Sequence, residues 1–277
     1  VTWIDFQDDI FTVNKYWLKD FLNRYKEKIN LPFECLSHAR YMDDEIAHWL
    51  KDAGCRWVQI GIQTMDEEFK TQNLKRYETS AHINKALRAM IKVGLNVKAD
   101  HMLGLPGEHI KAQELVRKLY AENCPTRINV FWTCFLPGTE LLKNGVEKGF
   151  VSKEQEARLN EGIDFFFFNN PENITDTHLV KMYQGYELLY KLYPFLPKFI
   201  RRRLKETTVR WIPAVVKRII GNVADVFNAW RSENPDMRAY LKYYSFHCTN
   251  FILRKYGFKT MNPVKVANRE NFPFSTD

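Results

Sequence analysis

WVQIGIQ at residues 57–63, SAHINKALRAMIKV at 80–93 and LNVKADHMLGLPG at 95–107 form the stretch on which the fold turns. Two short apolar, β-rich runs flank a segment of 3.6-residue periodicity, and Gly94 stands where a helix would stop. Strand, helix and strand joined in this order make a crossover, the connection that parallel neighbours need.

The same unit recurs on both sides. VTWIDF at 1–6 reads as a strand, followed by a helix over about 14–29. Pro32 leads into a strand over 33–36, and a helix over about 43–53 ends at Gly54. Downstream, a helix over about 110–122 precedes a strand at 127–135, and a short helix follows Pro137. Five consecutive strand–helix units predict an α/β fold with a parallel sheet and right-handed crossovers. Five strands do not close an eight-stranded barrel. The chain opens on a strand at Val1 without Met, so an upstream piece is expected to be missing. After Gly149 the pattern changes to FFFF at 165–168, a turn-like NNPEN and a long helix over 177–193. Pro194 and Pro197 break that helix, a basic segment follows, and a last helix is expected over about 237–256. The expected division is an α/β domain at 1–149 and a helical extension at 150–277.

The composition, with 45% hydrophobic and 27% charged residues, is that of an ordinary globular protein. No run approaches the ~18 apolar residues that a membrane span needs. Asp5, Asp8 and Asp9 interrupt the first apolar run, so these opening residues are not expected to be a secretory signal. Five widely spaced cysteines, at 35, 55, 124, 134 and 248, form neither a disulfide framework nor a self-contained metal site. A cytoplasmic location is expected. The net charge of +8 is concentrated. Residues 198–218 hold eight bases and one acid, and the remainder is close to neutral, which argues against a nucleic-acid-binding surface.

In parallel α/β folds, ligands gather where loops converge at the C-terminal ends of the strands. Those ends carry Gln7, Asp8 and Asp9; Glu34, Ser37 and His38; Gly61 to Gln63; Asp100 and His101 before Gly104-Leu105-Pro106-Gly107-Glu108; and Leu136-Pro137-Gly138-Thr139. Taken singly, such residues serve turns and helix caps. A polar cluster at every strand end is what a binding mouth requires.

The order GIQ, Arg76, DHMLGLPGE and FLPGTEL resembles the radical S-adenosylmethionine (radical SAM) superfamily over roughly residues 1–150. FQDDIFT followed by a helix is most similar to the subgroup with a cobalamin-binding domain upstream. The resemblance implies a partial (β/α) barrel whose first strand and loop hold C-x-x-x-C-x-x-C, the ligands of a [4Fe–4S] cluster. It implies S-adenosylmethionine as the co-substrate, a 5′-deoxyadenosyl radical, an electron donor such as flavodoxin or ferredoxin, and a small-molecule or lipid-like substrate. Within it, Gln63 and Asp100 fall on the ribose contacts and Arg76 on the partner of the methionine carboxylate. Gly104 and Pro106 belong to the turn near the adenine, and Asp8, Asp9 and Glu34 fall near the amino-group and substrate contacts. The departure is that no cysteine lies where the cluster motif belongs. That makes the expectation an enzyme core, of the cobalamin-dependent methyltransferase or cyclase kind, inactive as it stands.

Two other readings stay open. A metal-dependent barrel hydrolase would use Asp8, Asp9, Asp100 and His101 as ligands, and a non-catalytic relative would bind the nucleotide without turnover. The basic segment, PKFIRRRLKETTVRWIPAVVKRII, has two readings as well. Helices packed on the barrel with charges outward are the preferred one. The other is peripheral contact of residues 198–220 with an anionic membrane.

Overall fold

A computed structural model describes residues 2–161, 177–233 and 241–242. FFFF at 165–168, Cys248 and all but residues 241–242 of the helix expected over 237–256 lie outside the described residues. Five strands, β1 (Ile4–Phe6), β2 (Phe33–Ser37), β3 (Cys55–Gln63), β4 (Asn96–Leu103) and β5 (Arg127–Trp132), pair in sequence order, every pair parallel. Between them run α1 (Lys15–Lys28), α2 (Asp44–Asp52), α3 (Glu67–Asn73), α4 (Ser80–Lys92) and α5 (Lys111–Glu122). The α/β fold with a parallel sheet expected from the strand–helix alternation is the one observed.

Local chemistry sets the helix ends. Asn14, Asp43, Asp66 and Thr79 each accept a hydrogen bond from a backbone N–H of the helix they open. The 3.6-residue pattern then turns one face of each helix inward: Leu18, Leu22 and Tyr25 of α1, Ile46, Ala47 and Leu50 of α2, and Ile83, Leu87 and Met90 of α4.

The two faces of the sheet differ. Phe6 packs edge-on against Phe21 and Tyr25 of α1, so its side of the sheet faces the helices. Through the parallel register that side carries Phe33 and Cys35, then Val58 and Ile60, then Val97 and Ala99, nearly all fully buried. The alternate residues line the other, concave face: Asp5, Glu34, Trp57, Gln59, Gly61, Lys98, Asp100, Arg127 and Asn129.

Contacts divide the chain into two compact units, 1–221 and 222–277. The composition change at 149/150 therefore falls inside the first unit. Past α6 (Glu140–Glu147) and α7 (Lys153–Asn160), helix α8 (Thr177–Leu192) sends Tyr183, Tyr186, Leu189 and Tyr190 into the same core as the strands. Tyr190 donates to the Gln113 carbonyl of α5 at 2.9 Å, and Trp132 of β5 donates to Glu187 at 3.1 Å. The basic segment then folds as α9 (Lys198–Arg203), α10 (Glu206–Val209) and the start of α11 (Ala214–Arg231). In the second unit α11 continues with Asp225 and Asn228 buried and with Phe227 and Trp230 exposed, their rings 5.5 Å apart.

Candidate functional site

Three rows of the concave face step toward the C-terminal ends of the strands. The lowest holds Glu34, Trp57 and Asn96, the next Gln59, Lys98 and Arg127, and the highest Gly61, Asp100 and Asn129. Parallel strands buried on both sides normally read as continuous apolar runs. Here most of the alternate residues are polar, and their side chains bond to one another across the strands. Lys98 Nζ lies 2.8 Å from Glu34 Oε2, with the Trp57 ring 5.5 Å away. Gln59 donates to one oxygen of Asp100 at 2.7 Å and Asn129 to the other at 2.9 Å, while Arg127 donates to Asn129 at 2.7 Å. Burial pushes the Asp100 carboxyl above its usual range, against the pull of those two amides.

At the upper row the register of β3 against β4 shifts between Gly61 and Gln63. Gln63 adopts φ 60°, a left-handed conformation that non-glycine residues rarely take and that clusters at functional positions. The shift folds its amide back over Gly61: a Cβ on Gly61 would stand 2.7 Å from Gln63 Nε2 and 3.4 Å from the Arg76 guanidinium. A side chain on Gly61 would displace the Gln63 amide and press on the Arg76 guanidinium, the two polar groups that occupy that space. Arg76 reaches in from the loop after α3, donating to the Gly61 carbonyl at 2.9 Å. In the register Gly61 pairs with Asp100. Gln63, Arg76 and Asp100, expected from separate stretches of sequence, therefore meet around one glycine.

Arg76 is aimed by a residue that the sequence reading missed. Glu78 is fully buried and accepts from Arg76 Nε at 2.8 Å, with His38 Nε2 at 3.1 Å and Lys70 Nζ at 3.6 Å. Burial opposes ionisation of Glu78, but the His38 and Arg76 hydrogen bonds outweigh it and bring its pKa down to about 2. Nothing in the KRYETS string marks Glu78 except its place two residues after the arginine.

The GLPGE turn is tied down from below. Gly104 and Gly107 take φ 75° and 89°, which only glycine adopts freely, and Pro106 is buried between them. Glu108 accepts a hydrogen bond from the hydroxyl of Thr64, just after Gln63, and one from Gln113 Nε2 at 3.0 Å. Burial lifts its pKa to about 7 in spite of those donors. This bond links the tip of β3 to the turn after β4.

The other expected residues are placed differently. Asp8 and Asp9 lie exposed in the loop after β1. Glu34 lies on the concave face but two rows beneath Asp100, committed to Lys98. His101, next to Asp100, points to the helix side by strand alternation. It is fully buried, bonded to Gln113 at 2.9 Å, and burial lowers its pKa to about 4. The ligand set of the barrel hydrolase, which needs Asp100 and His101 together, is therefore split across the sheet. Among the described residues no three His, Cys, Asp or Glu side chains are grouped to hold a metal.

Residues 8–119 match the family model of the radical SAM superfamily. That stretch carries the sequence pattern of a radical SAM domain. No curated protein matches the chain. Among solved structures, the radical S-adenosylmethionine methyltransferase TsrM from Kitasatospora setae is 19% identical, with a TM-score of 0.42 over 50% of this chain and 27% of that one. Coproporphyrinogen III oxidase (HemN) from Escherichia coli is 19% identical, with a TM-score of 0.47 over 67% of this chain and 46% of that one. The cobalamin-dependent S-adenosylmethionine radical enzyme OxsB is 12% identical, with a TM-score of 0.39 over 93% of this chain and 43% of that one. The chain thus spans between about a quarter and a half of the length of these structures. The family model, and not these scores, carries the assignment.

Two groups that a radical SAM domain implies fare differently against the residues present. The half-buried cradle over Gly61, with an amide, a guanidinium and a carboxylate at its edge, fits an amino-acid nucleoside such as S-adenosylmethionine. The described cysteines do not fit a [4Fe–4S] cluster. Cys35 and Cys55 are buried on the helix side, where a hydrogen bond from Cys55 and burial push the Cys35 thiol up, away from the thiolate that a cluster needs.

Among the described residues no helix is long and apolar enough to cross a membrane.

Proposed function

We propose that the concave face of this radical SAM domain binds S-adenosylmethionine. The observation that supports it is the convergence of Gln63, Arg76 and Asp100 on Gly61. When bound, S-adenosylmethionine supplies an activated sulfonium whose carbon–sulfur bond can be cleaved. The residues do the holding. The Gln63 amide both donates and accepts, as a pair of ribose hydroxyls requires. Asp100, anchored by Gln59 and Asn129, accepts from a hydroxyl without moving. Arg76, held by Glu78, presents the rest of its fork to a carboxylate. Thr64 and Glu108 brace the turn on which Gly104 and Pro106 approach the base.

The wider activity in this reading is a radical reaction of the cobalamin-dependent methyltransferase or cyclase kind. It acts on a small-molecule or lipid-like substrate in the cytoplasm and draws electrons from a flavodoxin or ferredoxin. The spacing C-x-x-x-C-x-x-C does not occur in these 277 residues, so iron–sulfide reconstitution should give no [4Fe–4S] signal by electron paramagnetic resonance. Calorimetric titration with S-adenosylmethionine tests the binding claim. Asp100→Ala and Arg76→Ala should each weaken binding at least about tenfold, the loss of one good polar contact. No binding by the parent chain, or binding that both variants retain, rejects the reading.

A further inference from the structure

The first unit carries a second surface with its own chemistry. In α11, Val215, Val216, Ile219 and Ile220 recur at the spacing of one helix face. That face is turned to solvent, with Val215 49% and Ile219 57% exposed, whereas Lys217, on the opposite face, is only 5% exposed. The ordinary amphipathic arrangement is inverted. Lys217 points inward and donates to the carbonyls of Lys181 and Arg210 at 3.4 and 3.2 Å, and Gly221 packs against the Lys191 side chain. Beside this face Trp211 is 78% exposed, and Phe199 of α9 is 62% exposed.

The charges flanking these apolar residues are of one sign. The only acid in residues 198–218, Glu206, is buried in an ion pair with Arg210. Lys198 and Arg202 pair with Glu122 of α5, whereas Arg203, Lys205 and Arg218 lie exposed. A cavity of about 640 Å³ opens under Trp211 and Pro213, with Lys181, Arg210 and Lys217 in its walls. Exposed aromatic and aliphatic side chains bordered by cations suit one class of partner, the interface of an anionic bilayer. There the apolar groups enter the acyl boundary and the cations meet the phosphates. No described helix could span a membrane, which leaves binding in the interface plane.

We propose that α9, α10 and the first two turns of α11 form a peripheral docking surface for anionic membranes. Charge complementarity selects this occupant over a second copy of the chain, since a copy would bring its own exposed Arg203, Lys205 and Arg218 to the contact. The inference is independent of the cofactor reading, because vesicle binding requires no nucleotide.

The test is co-sedimentation of the full chain with vesicles of phosphatidylcholine alone and of phosphatidylcholine with phosphatidylglycerol. Binding at least about tenfold stronger to the anionic vesicles is expected, falling as salt is raised. Neutralising Arg203, Lys205 and Arg218 to Gln should lower partition about fivefold each, near a hundredfold together. Trp211→Ser with Ile219→Ser should abolish the part that survives high salt. All these residues are exposed, and circular dichroism verifies that the variants keep their helices. Equal binding to neutral vesicles, no binding to either, or a dimer that dissociates on Ile219→Asp would overturn the proposal.

Discussion

The two faces of the five-stranded sheet are built from the same strands and do opposite work. On the helix side of β4, Val97, Ala99 and Leu103 are completely buried among apolar neighbours. On the concave side Lys98 and Asp100 alternate with them and are held in a lattice of amides and ions. A sheet selected for stability alone would be apolar on both sides. The polar side keeps buried ionic groups that packing does not need, and that asymmetry is why the concave face reads as a binding surface.

The comparison can be broken most severely at the lowest polar rows. Removing one partner of the buried Glu34–Lys98 pair, as in Lys98→Ala, strands a charge and should cost about 3–5 kcal/mol in urea unfolding. The double change Glu34→Leu with Lys98→Met should recover most of that loss. If the single variant proves neutral, the polar face is not the tight lattice described.

On the other side, Ile60→Ala opens a cavity in the core and should cost about 2–5 kcal/mol. Its affinity for S-adenosylmethionine, measured on the folded fraction, should not change. A matching loss of affinity would mean that the two faces are not separable.

A smaller effect distinguishes the brace under the turn. With its pKa raised from 4.5 to about 7, Glu108 binds a proton in the folded state that the unfolded chain has released. Stability therefore declines as pH rises from about 4.5 to about 7, then levels off. Glu108→Gln should remove that slope, a difference on the order of 2 kcal/mol between pH 5 and pH 8. Identical thermal melts for parent and variant at both pH values would place the ionisation elsewhere.

The smallest stability effect belongs to Gly61→Ala. The added methyl meets the flexible ends of Gln63 and Arg76, so it should cost under about 1 kcal/mol in stability. The same displacement should weaken S-adenosylmethionine about tenfold.

Much of this was legible beforehand because it is local. The strand–helix alternation, the glycine stops and the GLPGE turn follow from periodicity and backbone preference, and the structure places them close to the expected bounds. The gathering of Gln63, Arg76 and Asp100 around Gly61 was expected from the order of their motifs. Glu78, Gln59 and Asn129 were not. A polar residue in a strand shows its face only once the register is known, and Glu78 acts through an arginine whose direction no string of letters gives. Period-two polarity within the buried strands was the available signal for Gln59 and Asn129.

By itself, then, the order of residues determined the class of fold, the parallel crossovers and the match of residues 8–119 to the radical SAM family model. These depend on near-neighbour chemistry repeated along the chain. Only the tertiary structure decided that adjacent Asp100 and His101 part company, that α8 packs into the same core as the strands, and that α11 turns its apolar face to solvent. Each of those outcomes depends on which distant segment covers a face, and burial is a property of the whole packing and not of a window of sequence.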